Sequence, residues 1–192
     1  MLIYEALARR HAKSIRTAWR GYSHKTELKP HNKQVALFRQ HCRVARHAYN
    51  SANGLMLEVL ALRATAQTVK LPTRIDLQKP LVAEIKRIYP WYYNSSKPSP
   101  HPALSELRTA WNKCFKKGLR QHKLKNKGRA KKSFYREQAT KAQPGVSNDG
   151  KRIKPPKIGW VRLCETLPIT TAHNCVISRT ADRWFIAVRY EI

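Results

Sequence analysis

Carboxylates are what this sequence has least of. Its 192 residues include 11 Asp+Glu against 39 Lys+Arg, a formal charge of +28. Metal-assisted hydrolysis of nucleic acid needs two or three carboxylates converging on a cation. The acids here are Glu5, Glu27, Glu58, Asp76, Glu84, Glu106, Glu137, Asp149, Glu165, Asp182 and Glu191. None pairs with another on one strand or at helical spacing. Glu27 and Glu191 could become neighbours in a sheet, although ordinary surface positions are the simpler reading. Walker loops, GxGxxG, HExxH and GxSxG are absent, which argues against catalysis by this chain alone. Cys42, Cys114, Cys164 and Cys175 form no CxxC pair and have no His at ligand spacing. That argues against zinc and for buried free thiols. His41 and His47 flank a helix with no Cys or acid at useful spacing.

Long apolar runs are also missing: nothing approaches the ~20 residues that span a bilayer. Residues 1–20 lack the uninterrupted apolar core of a signal peptide. There Leu7, Ile15 and Trp19 interleave with Arg9, Arg10, Lys13, Arg16 and Arg20. A basic amphipathic helix of that kind suits a membrane surface or, the favoured reading, packing on its own domain or on phosphates. An intracellular protein is expected.

What is present is charge upon a foldable chain. With 42% hydrophobic residues a core is affordable, and self-repulsion of this size calls for a polyanionic partner. Nucleic acid comes first, because each phosphate neutralised releases counterions; an anionic membrane comes second. From Asn32 the series Val35, Phe38, Cys42, Ala45, Tyr49, Ala52 steps by three and four, the stripe of an amphipathic helix. His31 or Asn32 caps it, and Asn53-Gly54 is expected to interrupt it before Leu55, Leu57, Leu60 and Leu62. Residues 71–79 are ambiguous. A short helix within 80–90 places Leu81, Ile85 and Ile88 on one face, and 91–102 is a breaker-rich loop. A further helix aligns Leu104, Leu107, Trp111, Cys114 and Phe115.

Between 116 and 157 stand fifteen cations: Lys116, Lys117, Arg120, Lys123, Lys125, Lys127, Arg129, Lys131, Lys132, Arg136, Lys141, Lys151, Arg152, Lys154 and Lys157. Only Glu137 and Asp149 oppose them. The segment reads as a solvated linker or, preferably, as a phosphate-binding arm in which Phe134 and Tyr135 stack on bases. From Ile158 the period becomes two. Strands are expected over 160–163, 174–178 and 183–190, with a turn at Thr180-Ala181-Asp182, forming an antiparallel sheet or small barrel. A strand over 22–28 would join it and make the helical region an insertion. In KPPKIGWVRL (154–163), Pro155-Pro156 holds the end of the basic segment extended and Gly159 bends it into the next strand.

Four blocks in order resemble the TnpB/OrfB family of bacterial insertion sequences. LKPHNKQVALFRQHCRVARHAYNSAN (28–53) is similar to that family's first segment through Pro30, Gln34, Ala45, Arg46, Tyr49 and Asn50. It departs at Lys29, where a Tyr is usual, and at His47, where an aromatic is usual. HPALSELRTAWNKCFK (101–116) resembles the family's Ala-Leu-x-x-Leu helix, with Cys114 in place of a Phe. IKPPKIGWVRL and VISRTADRWFIAVRYE resemble the strand blocks that follow.

The resemblance implies an α+β fold: an oligonucleotide-binding-like antiparallel β-barrel (the wedge) with an inserted α-helical, helix-turn-helix-like recognition domain. The expected boundaries are a basic extension 1–20, a first barrel strand 21–30, a helical domain 31–118, a basic linker 119–153 and remaining strands 154–192. Family members are RNA-guided DNA nucleases related to compact type V CRISPR effectors, with a RuvC-like domain and a zinc ribbon further on. This chain stops before the RuvC aspartate would stand, so the expectation is a truncated, non-enzymatic chain without cofactor or metal. Structured guide RNA and/or DNA are the implied partners, with a separate nuclease subunit as a further one, in the bacterial or archaeal cytoplasm. The implied contacts are the run from Lys116 to Lys132, Lys151, Arg152, Lys154 and Lys157. Trp160 and Arg162 would line the barrel face, and Lys97 and His101 would approach the duplex. Core packing is the preferred reading for Trp111, Trp160 and Trp184. A regulator competing with the intact nuclease for RNA, half of a split endonuclease and a decayed reading frame stay open.

Overall fold

The computed structural model describes residues 21–66, 68–95, 100–118, 123–128, 130–137, 146–167 and 174–191. The N-terminal amphipathic pattern and Lys97, Arg120, Arg129 and Lys141 lie outside them. Strand β1 (Gly21–Lys29) leads into helix α1 (Asn32–Thr65). Next come α2 (Arg74–Pro80), a π-helical turn (Leu81–Ile85), the short α3 (Lys86–Ile88) and a 3-10 turn (Pro90–Asn94). Helix α4 (His101–Lys117) follows, then β2 (Ser133–Glu137), β3 (Ser147–Asn148), β4 (Arg152–Lys154), β5 (Val161–Leu163), β6 (Asn174–Thr180) and β7 (Arg183–Glu191).

The seven strands form one antiparallel sheet in the order β2-β6-β7-β1-β5-β4-β3. β1 pairs along β7, with Gly21 opposite Glu191 and Leu28 opposite Trp184. The strand before Pro30 therefore closes onto the C-terminal strands, and the helices are inserted between them. Glu27 faces Phe185 and Glu191 faces Gly21, so these acids stand at opposite ends of the ladder and not side by side. Ala181 and Asp182 carry the β6–β7 hairpin at φ 46° and 64°. Two consecutive left-handed residues give the turn whose twist suits two adjacent strands.

Helix α1 runs unbroken for 34 residues, past the expected interruption at Asn53-Gly54. The reason is tertiary. Asn53 is fully buried and accepts a hydrogen bond from Trp111 Nε1 at 2.9 Å, which holds a residue of weak helix propensity inside the helix. α1 thereby serves two cores. Its first turns lay Phe38 and Cys42 on the sheet with Phe134, Ile153, Val161, Ile177, Trp184 and Ile186. Its later turns pack Tyr49, Ala52 and Met56 against Leu77, Leu104, Leu107 and Trp111. The His31 backbone N–H donates to Gln34 Oε1 at 3.2 Å to start the helix. Thr73 starts α2, its Oγ1 accepting from the Asp76 backbone N–H at 3.3 Å.

Several expectations are corrected. Phe115 is 43% exposed, stacked on Trp111 at 5.4 Å, although its α4 neighbours are buried. Leu81 is buried but Ile88 is 62% exposed: the π turn changes the angular advance per residue, so the expected single face does not persist. Cys42, Cys114 and Cys175 are buried, as expected, whereas Cys164 is exposed. Among the described residues, no helix is long and apolar enough to cross a membrane.

Candidate nucleic-acid interface

The apolar stripe of α1 has a counterpart on its other side. Ala36, Arg39, Gln40, Arg43 and Arg46 recur at three- and four-residue steps and so share one face. They form one wall of an open cleft of ≈ 720 Å³, and Lys127, Lys132, Arg179 and Trp184 complete it. Six of the nine lining residues are cations and none is acidic. With one carboxylate, Asp182, paired to Arg179 and none among the lining residues, the cations set a positive potential inside a concave surface, which focuses the field on an anion.

Two backbone devices bring the far wall to α1. Asn50 clamps the 123–128 segment, its Nδ2 donating to Lys125 O at 3.1 Å and its Oδ1 accepting from Lys125 N at 2.8 Å. Lys127 is thus held beside the cleft. The Arg179 backbone N–H donates to Lys132 O at 2.8 Å, which joins the approach to β2 onto the end of β6. Inside, the Arg179 side chain gives Nη2–H to Asp182 Oδ1 at 2.6 Å, and its buried Nε–H has no partner. Cys42 lies beneath. Burial pushes its thiol up to about 12, and the charges of Arg46 and Lys132 pull the other way less strongly. It stays protonated and serves as a small core residue.

The cations expected from the sequence are distributed unevenly. Lys127 and Lys132 line the cleft. Lys116 and Lys117 are exposed in the last turn of α4, ahead of Gly118 at φ 61°, where their charge suits the helix terminus. Lys123 and Lys131 are exposed away from the cleft wall. Lys125 is engaged internally, 3.1 Å from Glu106 and 3.8 Å from the Tyr49 ring centroid. Phe134 is not a stacking platform: it is 5% exposed and packs on Phe38 and His41. Alternation along β2 turns this side chain to the core. Tyr135 and Arg136 are strand residues opposite Val176 and Cys175. His101 opens α4, half-buried.

Lys151, Arg152 and Arg162 line a second cavity of ≈ 610 Å³ with Asp149, Cys164 and Glu165. Lys157 Nζ donates to Tyr93 O at 2.6 Å. Lys154 is exposed beside Trp160. Trp111 and Trp184 are core residues, but Trp160 is 40% exposed. The sequence reading missed Arg39, Arg43 and Arg179, and noted Arg46 only for its place in the family-like block and not as a contact. The α1 arginines were legible as the polar phase of the same 3.6-residue period that marked the apolar stripe. Arg179 gave no such sign, because only the hairpin brings it beside Lys132.

The cleft adjoins an aromatic cluster. Arg43 lies 5.4 Å from the Trp91 ring centroid, and Gln40 Nε2 donates to Trp91 O at 3.3 Å. Behind them His47 Nδ1 bonds the Tyr92 hydroxyl at 2.8 Å, with its ring 4.8 Å from Tyr89. Burial, aided by the charge of Arg46, lowers the His47 pKa.

No known family profile matches the chain, and no curated protein is similar in sequence. Among solved structures, a chain of the "Cas12f1-sgRNA-target DNA complex", determined by cryo-EM, is similar with a TM-score of 0.40 at 11% identity. The match covers 90% of this chain and 48% of that one, so this chain spans about half of its neighbour's length.

Proposed function

We propose that this chain binds nucleic acid, guide RNA and/or DNA, chiefly through the phosphate backbone in the α1 cleft. In this reading it corresponds to the wedge and recognition part of TnpB-like proteins. The carrying observation is the cleft itself: Arg39, Arg43, Arg46, Lys127, Lys132 and Arg179 converge with no acid among the lining residues. Its shape suits a strand that lays several phosphates along one helix face, since α1 advances 5.4 Å per turn and presents a cation at almost every turn. The sequence resemblance supplies the class of partner, and the cleft supplies the contacts.

No cutting step belongs to this proposal. Acids are isolated along the sequence, and the described residues hold no group of three His, Cys, Asp or Glu side chains fit for a metal ion. A nuclease activity would come from other polypeptide sequence.

The test is a salt titration with a structured RNA and with duplex DNA. Six phosphate contacts predict a log–log slope of about −5.4 on duplex DNA and about −4 on single-stranded segments. The double variant Arg43→Ala/Arg46→Ala should flatten that slope by about two. Binding that ignores salt, or a variant slope equal to that of the parent, would overturn the reading.

A further inference from the structure

The corner formed by β1, β5 and β4 carries a site of a different kind. Arg152 pairs with Arg162 and Ile153 with Val161, and Lys29 pairs with Arg162 across the neighbouring strands. Side chains alternate along a strand and cross-strand partners share a face. Ile153 and Val161 are fully buried, so Lys29, Arg152, Lys154 and Arg162 occupy the opposite, exposed face. One further step of the same register sets Trp160 opposite Lys154. The indole lies among these cations, with Arg152 Cζ 5.2 Å and Lys154 Nζ 5.8 Å from its ring centroid.

This tryptophan is held but not buried. The buried Gln34 donates Nε2–H to Trp160 O at 2.8 Å. The approach is fixed by the Ile158 N to Pro155 O bond of 3.1 Å, with Lys157 at φ 63° and Gly159 at φ 83°. Asp149 accepts from Arg152 Nε at 2.8 Å and sets the guanidinium beside the ring. A large flat apolar surface is thereby fixed in water beside Arg152 and Lys154, on a face that also carries Arg162 and Lys29. A lone cation–π contact needs one cation and no strained turn. A nucleotide whose base is unpaired offers both matching parts: a π face for the indole and phosphates for the cations around it. A base-paired duplex keeps its π faces inside its own stack.

We propose that the Trp160 corner is a stacking site for an unpaired nucleobase, flanked by phosphate contacts from Arg152, Lys154, Arg162 and Lys29. This rests on the nucleic-acid reading and adds to it a preference for single-stranded segments at a place separate from the α1 cleft.

The experiment compares oligo(dT), oligo(U) and an abasic phosphodiester of equal length, about 12 nucleotides, on the full chain. The wild-type chain should bind one or both base-bearing strands more tightly than the abasic one. Trp160→Ala should erase that difference, weakening base-bearing strands by roughly 5- to 150-fold and leaving the abasic strand unchanged. Trp160→Phe should keep most of the difference, as a purely structural indole would not require. Preference for the deoxy or the ribo strand identifies the sugar, and either supports the site. If Trp160→Ala binds all strands like wild type while Arg43→Ala weakens all of them, the stacking site is refuted and the cleft reading stands. If the wild-type chain binds none of the strands, both fall.

Discussion

The Arg179 guanidinium donates to the Asp182 carboxylate at 2.6 Å across the β6–β7 hairpin. The two partners are unlike in setting: the Arg179 side chain is 18% exposed and Asp182 is 90% exposed. With its acidic partner almost fully in solvent, the ion pair contributes little stability. Its effect is geometric, since it fixes one corner of a planar five-donor group at the floor of a cationic cleft.

Two substitutions separate orientation from charge. Arg179→Ala should lower affinity for structured RNA about tenfold and reduce the salt slope by about one. Asp182→Ala raises the net charge of the chain, so electrostatics alone predicts tighter binding to a polyanion. The orienting role predicts weaker binding, because the ligand must then order the freed guanidinium itself. Tighter binding by Asp182→Ala in a filter-binding or anisotropy titration would show that Asp182 competes with the ligand for Arg179.

Asn50 offers a test without any change of charge. Its two hydrogen bonds to the Lys125 backbone tie the 123–128 segment to α1. Asn50→Ala should cost about 1–2 kcal/mol of stability and also weaken binding, because Lys127 loses its fixed place on the cleft wall. Denaturant midpoints and affinity measured on the same preparation check this. A loss of stability with unchanged affinity would mean that Lys127 adds nothing to binding.

The Asn53–Trp111 bond explains why α1 stays one helix, and it can be broken from either side. Trp111→Phe removes the Nε1–H donor to a fully buried amide. The expected cost is about 1–3 kcal/mol, from a thermal or urea transition. Asn53→Leu places an apolar side chain beside the indole and leaves that Nε1–H without this acceptor, so it should cost a similar amount. A neutral outcome in both would mean that the bond does not hold the helix together.

Most elements were legible because period alone reports which side of an element is buried. The α1 stripe, the α4 face and the last two strands each carry several turns or alternations of that signal. What was not legible depends on which elements meet. Phe134 looked like an aromatic among lysines, yet β2 pairs with β6 and turns it into the core. Trp160 looked like the opening residue of a buried alternation, yet the β4–β5 register places it on the outer face. Asn53-Gly54 is a breaker pair locally, and only Trp111, 58 residues away in sequence, overrides it. The same reason split the basic segment. Charge density marked 116–157 as a whole, but Asn50 and β6 select Lys127 and Lys132 for the cleft, while Glu106 and Tyr49 draw Lys125 away from it.

His47 makes the helical region sensitive to acid, with a sign that can be worked out. Burial and the neighbouring Arg46 disfavour the charged imidazole, so the folded pKa lies below the ordinary 6.5. The unfolded chain takes up the proton near its unperturbed value. As pH falls below about 6.5 the unfolded state binds more protons than the folded one, and stability drops until the folded pKa is passed. Urea midpoints at about pH 7.5 and about pH 5 should therefore fall further in the wild-type chain than in His47→Gln, since glutamine does not titrate. The comparison is between the two proteins, because the other seven histidines of the eight in the chain are common to both. Equal drops in both would assign the acid sensitivity to some other group and leave His47 a purely packing role beside Tyr89 and Trp91.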